Sequence, residues 1–292
     1  MRPVACLGLA GLALPGMAAA VEVEVLPVPD GPVADRVVHD DAHLVLLVTS
    51  EHRGDPEPCG CGVRPLGGLS RMAAYVDAVR ATDTPVLVLH AGGWLDPTAD
   101  GAVIAEDARE ANRGFTRALR STPVDVLNVG WPDLAALAEP RPGLVSANLL
   151  TPLPVLRRVV ASVGGHDVLV TGVSRGGPDY LWPPGTQVVP AVDGVEEVLS
   201  LSPERSLSVV LAYDDPKAAR AVSQLPGVDL VVEAGDYQAR WKPLVEQAVH
   251  VRTWRQGLRL TELRLWVGDD GLQRVVLREV ALDEALDRGG RR

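Results

Sequence analysis

The sequence predicts an α/β domain in which two mixed sheets pack together with helices outside. Three observations carry that prediction. Strand-length apolar runs alternate with segments of helical period through most of the chain. A block of alternating strands closes it. With 47% hydrophobic residues in 292, there is enough apolar material for one large core. No internal repeat and no stretch of inter-domain character is evident, so one domain is expected.

Residues 21–28 (VEVEVLPV) alternate like an edge strand or a linker. Residues 43–49 form a continuous apolar run, as in a strand buried on both faces. Residues 50–66 are rich in Pro and Gly and read as a loop. A helix is expected from Gly67, with Leu69, Met72, Ala73, Val76 and Val79 on one face and Arg71, Asp77 and Arg80 off it. Residues 85–89 are the next strand. Residues 101–119 read as a second helix, with Ile104, Ala108, Ala111, Phe115 and Leu119 at helical spacing. A strand at 124–129 and a Gly-Trp-Pro turn follow. Further strands are expected at 144–147, 155–163, 168–173, 206–212 and 228–232, and helices at 195–201 and 216–224. Residues 248–253, 258–267 and 273–280 alternate around a Gly-Asp-Asp-Gly turn, which predicts antiparallel hairpins.

The first 20 residues have the pattern of an export signal. Arg2 precedes an apolar stretch at 4–17, broken by Pro15, and Ala18-Ala19-Ala20 offers a cleavage site; the alternative is a retained N-terminal helix. The expected organisation is therefore a leader at 1–20, an extension or edge strand at 21–42, the main domain at 43–282 and a polar tail at 283–292. The mature chain is expected in the periplasm or secreted, without a stable membrane span, its partner an exported protein or a small ligand. A net charge of −10 argues against nucleic acid and anionic membranes as partners. The basic residues are almost all Arg, with Lys217 and Lys242 the only lysines. That bias fits a GC-rich bacterial genome.

Removing the leader leaves Cys59 and Cys61, separated by Gly60. An oxidising compartment allows a disulfide between them, for which the chain must turn sharply. A redox or partner-binding thiol pair, half of a metal site, or two small buried residues are the alternatives. His39, His43, His166 and His250 show no ligand-like spacing, and Asp214-Asp215 and Asp269-Asp270 read as solvated turns. Asp96, Asp100, Glu106 and Asp107 suit a helix start. Trp94, Trp131, Tyr180 and Trp182 are aromatic surface at the loop end of the sheet or large hydrophobes.

The order of strand, LGGLSR helix start, HAGG strand end, VGWPD, SANLL and VDLVVEAGDYQ resembles the calcineurin-like metallophosphoesterases, in particular the catalytic half of their 5'-nucleotidase branch. The resemblance spans about residues 43–267, and the PCGCG insert before LGGLSR is its most specific piece. It implies a four-layer α/β/β/α sandwich. It also implies phosphoester hydrolysis by two metal ions about 3.5–4 Å apart, bridged by a carboxylate. The motif positions depart from that chemistry. Ser50 stands for the first aspartate, while His52 keeps its histidine. Gly93 stands for the bridging aspartate two residues after Ala91, with His90 in place of another. Trp131-Pro132 replaces an Asn-His pair and leaves Asp133 outside the ligand positions. The mid-chain histidine falls near Tyr213 or Asp214. Gly235-Asp236-Tyr237-Gln238 stands for Gly-His-x-His.

Three expectations follow. The favoured one is a catalytically degenerate domain kept as a binding or structural module, without a cofactor, whose remnant ligands are His52 and Asp236. The second is a hydrolase with a rebuilt site that holds one divalent metal ion among Glu51, His52, His90, Asp133 and Asp236. The third is a thiol role for Cys59 and Cys61.

Overall fold

The computed structural model describes residues 20–60, 64–138, 141–202, 206–213, 215–236 and 242–287; residues 1–19 of the expected leader and the end of the polar tail lie outside them. The principal strands are β1 (Glu22–Leu26), β2 (Leu44–Thr49), β3 (Val86–His90), β4 (Val126–Asn128), β5 (Val159–Val163) and β6 (His166–Ser174). They continue with β7 (Leu207–Tyr213), β8 (Leu230–Asp236), β9 (Val249–Trp254), β10 (Arg259–Gly268) and β11 (Gly271–Ala281). The helices are α1 (Leu69–Arg80), α2 (Glu106–Leu119), α3 (Trp131–Ala136), α4 (Ala191–Ser200) and α5 (Pro216–Val222), with single turns elsewhere.

The strands make two large mixed sheets. The first runs β1-β11-β10-β2-β3-β4 and ends on Leu144–Val145; the second runs from Leu244–Val245 through β9-β8-β7-β6 to β5. Parallel pairs fill the middle of the second sheet, whereas the first joins a parallel β2-β3-β4 half to the antiparallel β10–β11 hairpin, which turns at Gly268–Gly271 as its Gly-Asp-Asp-Gly signal predicts. One expectation fails here. Residues 248–253 do not join the C-terminal hairpins; β9 pairs in parallel with β8 in the second sheet. Alternation reports two different faces and is silent on which neighbour a strand takes.

Leu44, Leu46 and Val48 of β2 point into the core between the sheets, where they join Val209 and Leu211 of β7 and Leu230 of β8. Val45 and Leu47 point the other way, into a second core with Met72, Val76 and Val79 of α1 and Phe115 and Leu119 of α2. This double burial explains the unbroken apolar run. A third core packs α4 and α5 on the outer face of the second sheet, through Val195, Val198, Ala219 and Val222 against Leu169, Val210 and Val231. The layers are therefore helix, sheet, sheet, helix.

Helix α2 starts at Glu106 rather than Gly101, because residues 99–104 fold into a two-residue hairpin around Gly101, whose φ is 64°. The Gly-Trp-Pro segment is the first turn of α3, where proline costs no hydrogen bond. Residues 21–42 are tied to the fold at both ends. β1 pairs with β11, and Asp40 holds Arg264.

That ion pair belongs to a buried network. Glu262 is fully buried; its carboxylate accepts from Arg264 at 2.9 Å, from Arg278 at 3.0 Å and from the Tyr75 hydroxyl at 2.6 Å. Arg278 also donates to the Arg36 carbonyl, and Arg36 reaches Gly31, Ala281 and Asp283. Arg71, expected off the apolar face of α1, is 5% exposed because it donates to Asp287 and to the carbonyls of Pro65 and Leu282. Residues 283–287 are thereby docked, with Leu286 buried. Among the described residues no helix is long and apolar enough to cross a membrane.

Removing the acceptor leaves the buried Arg278 guanidinium with only the Arg36 carbonyl, while Arg264 keeps Asp40, so Glu262→Ala is expected to cost about 3–5 kcal/mol. Urea unfolding measures it; a loss below about 1 kcal/mol would mean that the network is effectively solvated.

Candidate functional site

The C-terminal ends of β2, β3 and β4 in the first sheet meet those of β7 and β8 in the second. Loops leaving these ends bring together most of the residues singled out by sequence.

The loop after β2 is laced to the loop after β3 by three backbone hydrogen bonds: Glu51 N–H to the Gly92 carbonyl, Arg53 to Gly93 and Gly54 to Trp94. A fourth runs from the Gly257 N–H to the Ser50 carbonyl at 2.8 Å. Glu51, Arg53 and Gln256 have φ of 53°, 52° and 57°, and they are the non-glycine residues with left-handed backbone among those described. The lacing holds this strain at one place, where functional sites concentrate it.

Tyr213, the last residue of β7, fills the space between the sheets. A methyl group placed on Gly93 would lie 2.5 Å from its Cε2, one on Gly130 2.6 Å from its Cδ1, and one on Gly92 2.8 Å from its Cβ. Gly92 and Gly93 also have φ of 118° and 73°, a region that side chains disfavour. All three glycines are thus needed for the ring to lie there, and Tyr213 is 4% exposed. Asn128, fully buried at the end of β4, links the sheets through its amide NH2, within 3.0–3.1 Å of the carbonyls of Ala91, Val173 and Leu211.

Ser50 is buried; its hydroxyl bonds the Thr253 hydroxyl at 2.7 Å and donates to the Trp254 carbonyl at 3.1 Å. His52 and His90 meet, His52 Nδ1 lying 3.0 Å from His90 Nε2. The Gly92 N–H donates to His90 Nδ1, which assigns the His90 proton to Nε2 and makes His52 Nδ1 the acceptor. The His52 proton then sits on Nε2, which is buried with no hydrogen-bond partner among the described residues. Phe115 closes the other side of the His52 ring. Burial lowers the His52 pKa to about 4; burial first, then His52 and Arg141, hold His90 well below the usual range. Both rings are neutral near pH 7.

Asp133 is fully buried and turned toward the backbone. Its carboxylate accepts from the N–H groups of Gly93 at 2.8 Å, Leu95 at 2.9 Å and Gly130 at 2.9 Å. Burial pushes its pKa up to about 7 against those donors. It braces the loop whose glycines face Tyr213. The Glu51 carboxylate lies against Gly235 and near Arg53. Trp131 begins α3 and packs over Gly177. Cys59 is half-buried, its N–H bonded to the Leu66 carbonyl. Cys61, Asp214 and Gln238, and the Asp236 side chain, lie outside the described residues.

The structure thus joins His52 to His90 and directs Ser50, Glu51 and Asp133 to other partners. Among the described residues no three His, Cys, Asp or Glu side chains are placed to hold a metal ion. Asn128, Thr253 and Phe115 carry no site assignment in the sequence, and Tyr213 enters it only as the neighbourhood of a missing histidine. The signal for Tyr213 was the run of glycines at strand ends, which marks close approach of another group; Phe115 and Thr253 had none.

Two outcomes follow. Gly93 and Gly165 both have positive φ, but nothing lies within 4 Å of a methyl on Gly165. Gly93→Ala is expected to cost about 1–3 kcal/mol more than Gly165→Ala, the penalty of overpacking against the ring; equal costs in chemical unfolding would remove Tyr213 from its place. The second concerns pH. His52 titrates near 6.5 when unfolded and near 4 when folded, so between those values the unfolded chain binds the extra proton. Its contribution is complete above pH 6.5 and is lost as the pH falls to 4, by about 3 kcal/mol. Relative to His52→Asn, the wild type should lose that much across the window; parallel pH profiles would contradict the buried neutral ring.

No protein-family model and no curated protein matches the chain. Solved structures do. The sulfate thiohydrolase SoxB of Thermus thermophilus superposes with a TM-score of 0.68 at 15% identity, over 84% of this chain and 58% of that one. A 5'-nucleotidase precursor from Thermus thermophilus gives 0.64 at 20% identity, over 83% and 55%. The calcineurin-like phosphoesterase YfkN of Bacillus subtilis gives 0.58 at 14% identity, over 84% and 95%. The chain spans a little over half the length of the first two. Its two packed sheets flanked by helices are the fold of the calcineurin-like phosphoesterases and 5'-nucleotidases.

Proposed function

We infer that this chain is an exported protein of the metallophosphoesterase fold that has lost the dinuclear metal site and serves as a non-catalytic binding or structural module. The observation that carries this reading is Tyr213, whose ring lies against Gly92, Gly93 and Gly130. Gly93 is the position where the resemblance calls for a bridging carboxylate. A side chain there would enter the space of the ring, and without one nothing at that position can bridge two cations. The neighbouring positions support the same reading. The Ser50 hydroxyl is taken by β9, and the two histidines satisfy each other rather than presenting two lone pairs to a cation. The fold outlasts the chemistry in this account. Export is proposed on the leader-like first 20 residues, and with it a periplasmic or secreted location.

The test uses mature protein beginning at residue 21, incubated with excess Mn2+ or Zn2+, freed of unbound metal and assayed on p-nitrophenyl phosphate and AMP. Metal content well below one ion per chain and no hydrolysis above buffer are expected. Two ions per chain with turnover would overturn the reading in favour of an active hydrolase. One ion with turnover would overturn it in favour of a rebuilt mononuclear site.

A further inference from the structure

The strongest unassigned feature lies across the first sheet from Tyr213, on the solvent side of α2. Arg109, Arg113 and Arg117 recur every four residues along this helix and Arg120 follows at its C-cap. Together they line a groove of about 310 Å³. The facing wall is apolar, formed by Leu95 and by Ala136, Leu137 and Ala138 at the end of α3. No acidic side chain lines the groove among the described residues, although the whole chain carries a net charge of −10. Four arginine side chains line this one concavity.

The geometry suits anions. A step of four residues along a helix is about 6 Å, so the ladder presents guanidinium groups at regular short intervals. At its rim two of them already grip a carboxylate. Glu106 receives Nε and a terminal nitrogen of Arg109 at 2.9 and 2.6 Å, and Arg113 at 3.1 Å. Glu106 is itself 68% exposed, so an incoming anion can displace it at little cost in buried contacts. Arg117, further along, makes no ion pair among the described residues.

The volume selects the class of ligand. At about 310 Å³ the groove is at the small end of small-molecule sites, too confined for a folded partner to insert an element. Several negative charges must therefore be concentrated in a small molecule. Phosphate groups do this, each bringing nearly two charges and three acceptor oxygens in the geometry that guanidinium forks match. The Leu95–Leu137 wall then accepts an apolar portion of the same molecule. We propose that this groove binds a small phosphorylated molecule carrying two or more phosphate groups, laid along the Arg109–Arg113–Arg117 ladder. The site is independent of the fate of the metal centre, so it stands or falls on its own measurement.

Inorganic tripolyphosphate, which has the charge and no organic part, is the probe, titrated calorimetrically into the mature protein. Saturable binding of one molecule per chain is expected. It should weaken about tenfold or more in Arg113→Ala/Arg117→Ala, which removes two charge-assisted contacts, and hold in Arg220→Ala, a surface arginine on α5. It should also fade near 1 M salt, where screening acts within about 3 Å. Absence of saturable binding, full retention in the double variant, or an equal loss in Arg220→Ala would each overturn the proposal. Circular dichroism of the variants separates loss of the site from loss of the fold.

Discussion

The close approach of the two sheets around Tyr213 is the constraint on which the candidate site depends. Strand ends in such a sandwich normally leave a crevice, because loops diverge and their side chains need room. Here three glycines remove the side chains on one side, and a single aromatic ring supplies the packing from the other. Asn128 bonds carbonyls of both sheets just beneath, and Asp133 holds the glycine loop by its N–H groups. Each piece presupposes the others. A buried carboxylate with three backbone donors is tolerable only on a fixed loop, and the ring can pack only against a loop without side chains.

Polar groups elsewhere follow the same logic. The first sheet carries charge into its helix-covered face at Glu262, Arg264 and Arg278, and satisfies it with Tyr75, Asp40 and the Arg36 carbonyl. That network recruits the segment before β2 and the turn after β11, which explains why a polar extension and the start of a polar tail are part of the domain. On the proposed reading, the histidine pair is what remains when a metal site loses its carboxylates. Two imidazoles left in a dry pocket become donor and acceptor to each other and stay neutral.

Much of the fold is legible in the sequence because its signals are local. Unbroken apolar runs such as 43–49 mark strands with both faces buried, and Gly-Asp-Asp-Gly names its hairpin. The partner of a strand is not local: residues 248–253 alternate like a hairpin strand and yet pair in parallel with β8. The pattern places the start of α2 too early because Ile104 falls in register with its apolar face, although Gly101 breaks it. At the site, the chemistry-bearing residues Ser50, His52, His90 and Asp133 stand out by type, but their partners do not. Asn128 carries no sequence mark of a site, and Tyr213 only that of standing near a missing histidine, since a strand-end tyrosine is ordinarily core. The role of Tyr213 exists only where Gly92, Gly93 and Gly130 converge on it from the other sheet, and that of Asn128 where it meets Gly172 across the same gap.

The most direct test of the account is a crystal structure of the mature protein grown with excess Mn2+, with anomalous scattering measured at the manganese edge. The account predicts no anomalous peak between the ends of β2, β3 and β7, and density for the Tyr213 ring against Gly92 and Gly93. Two peaks about 3.5–4 Å apart at that place, with the ring swung aside, would contradict it.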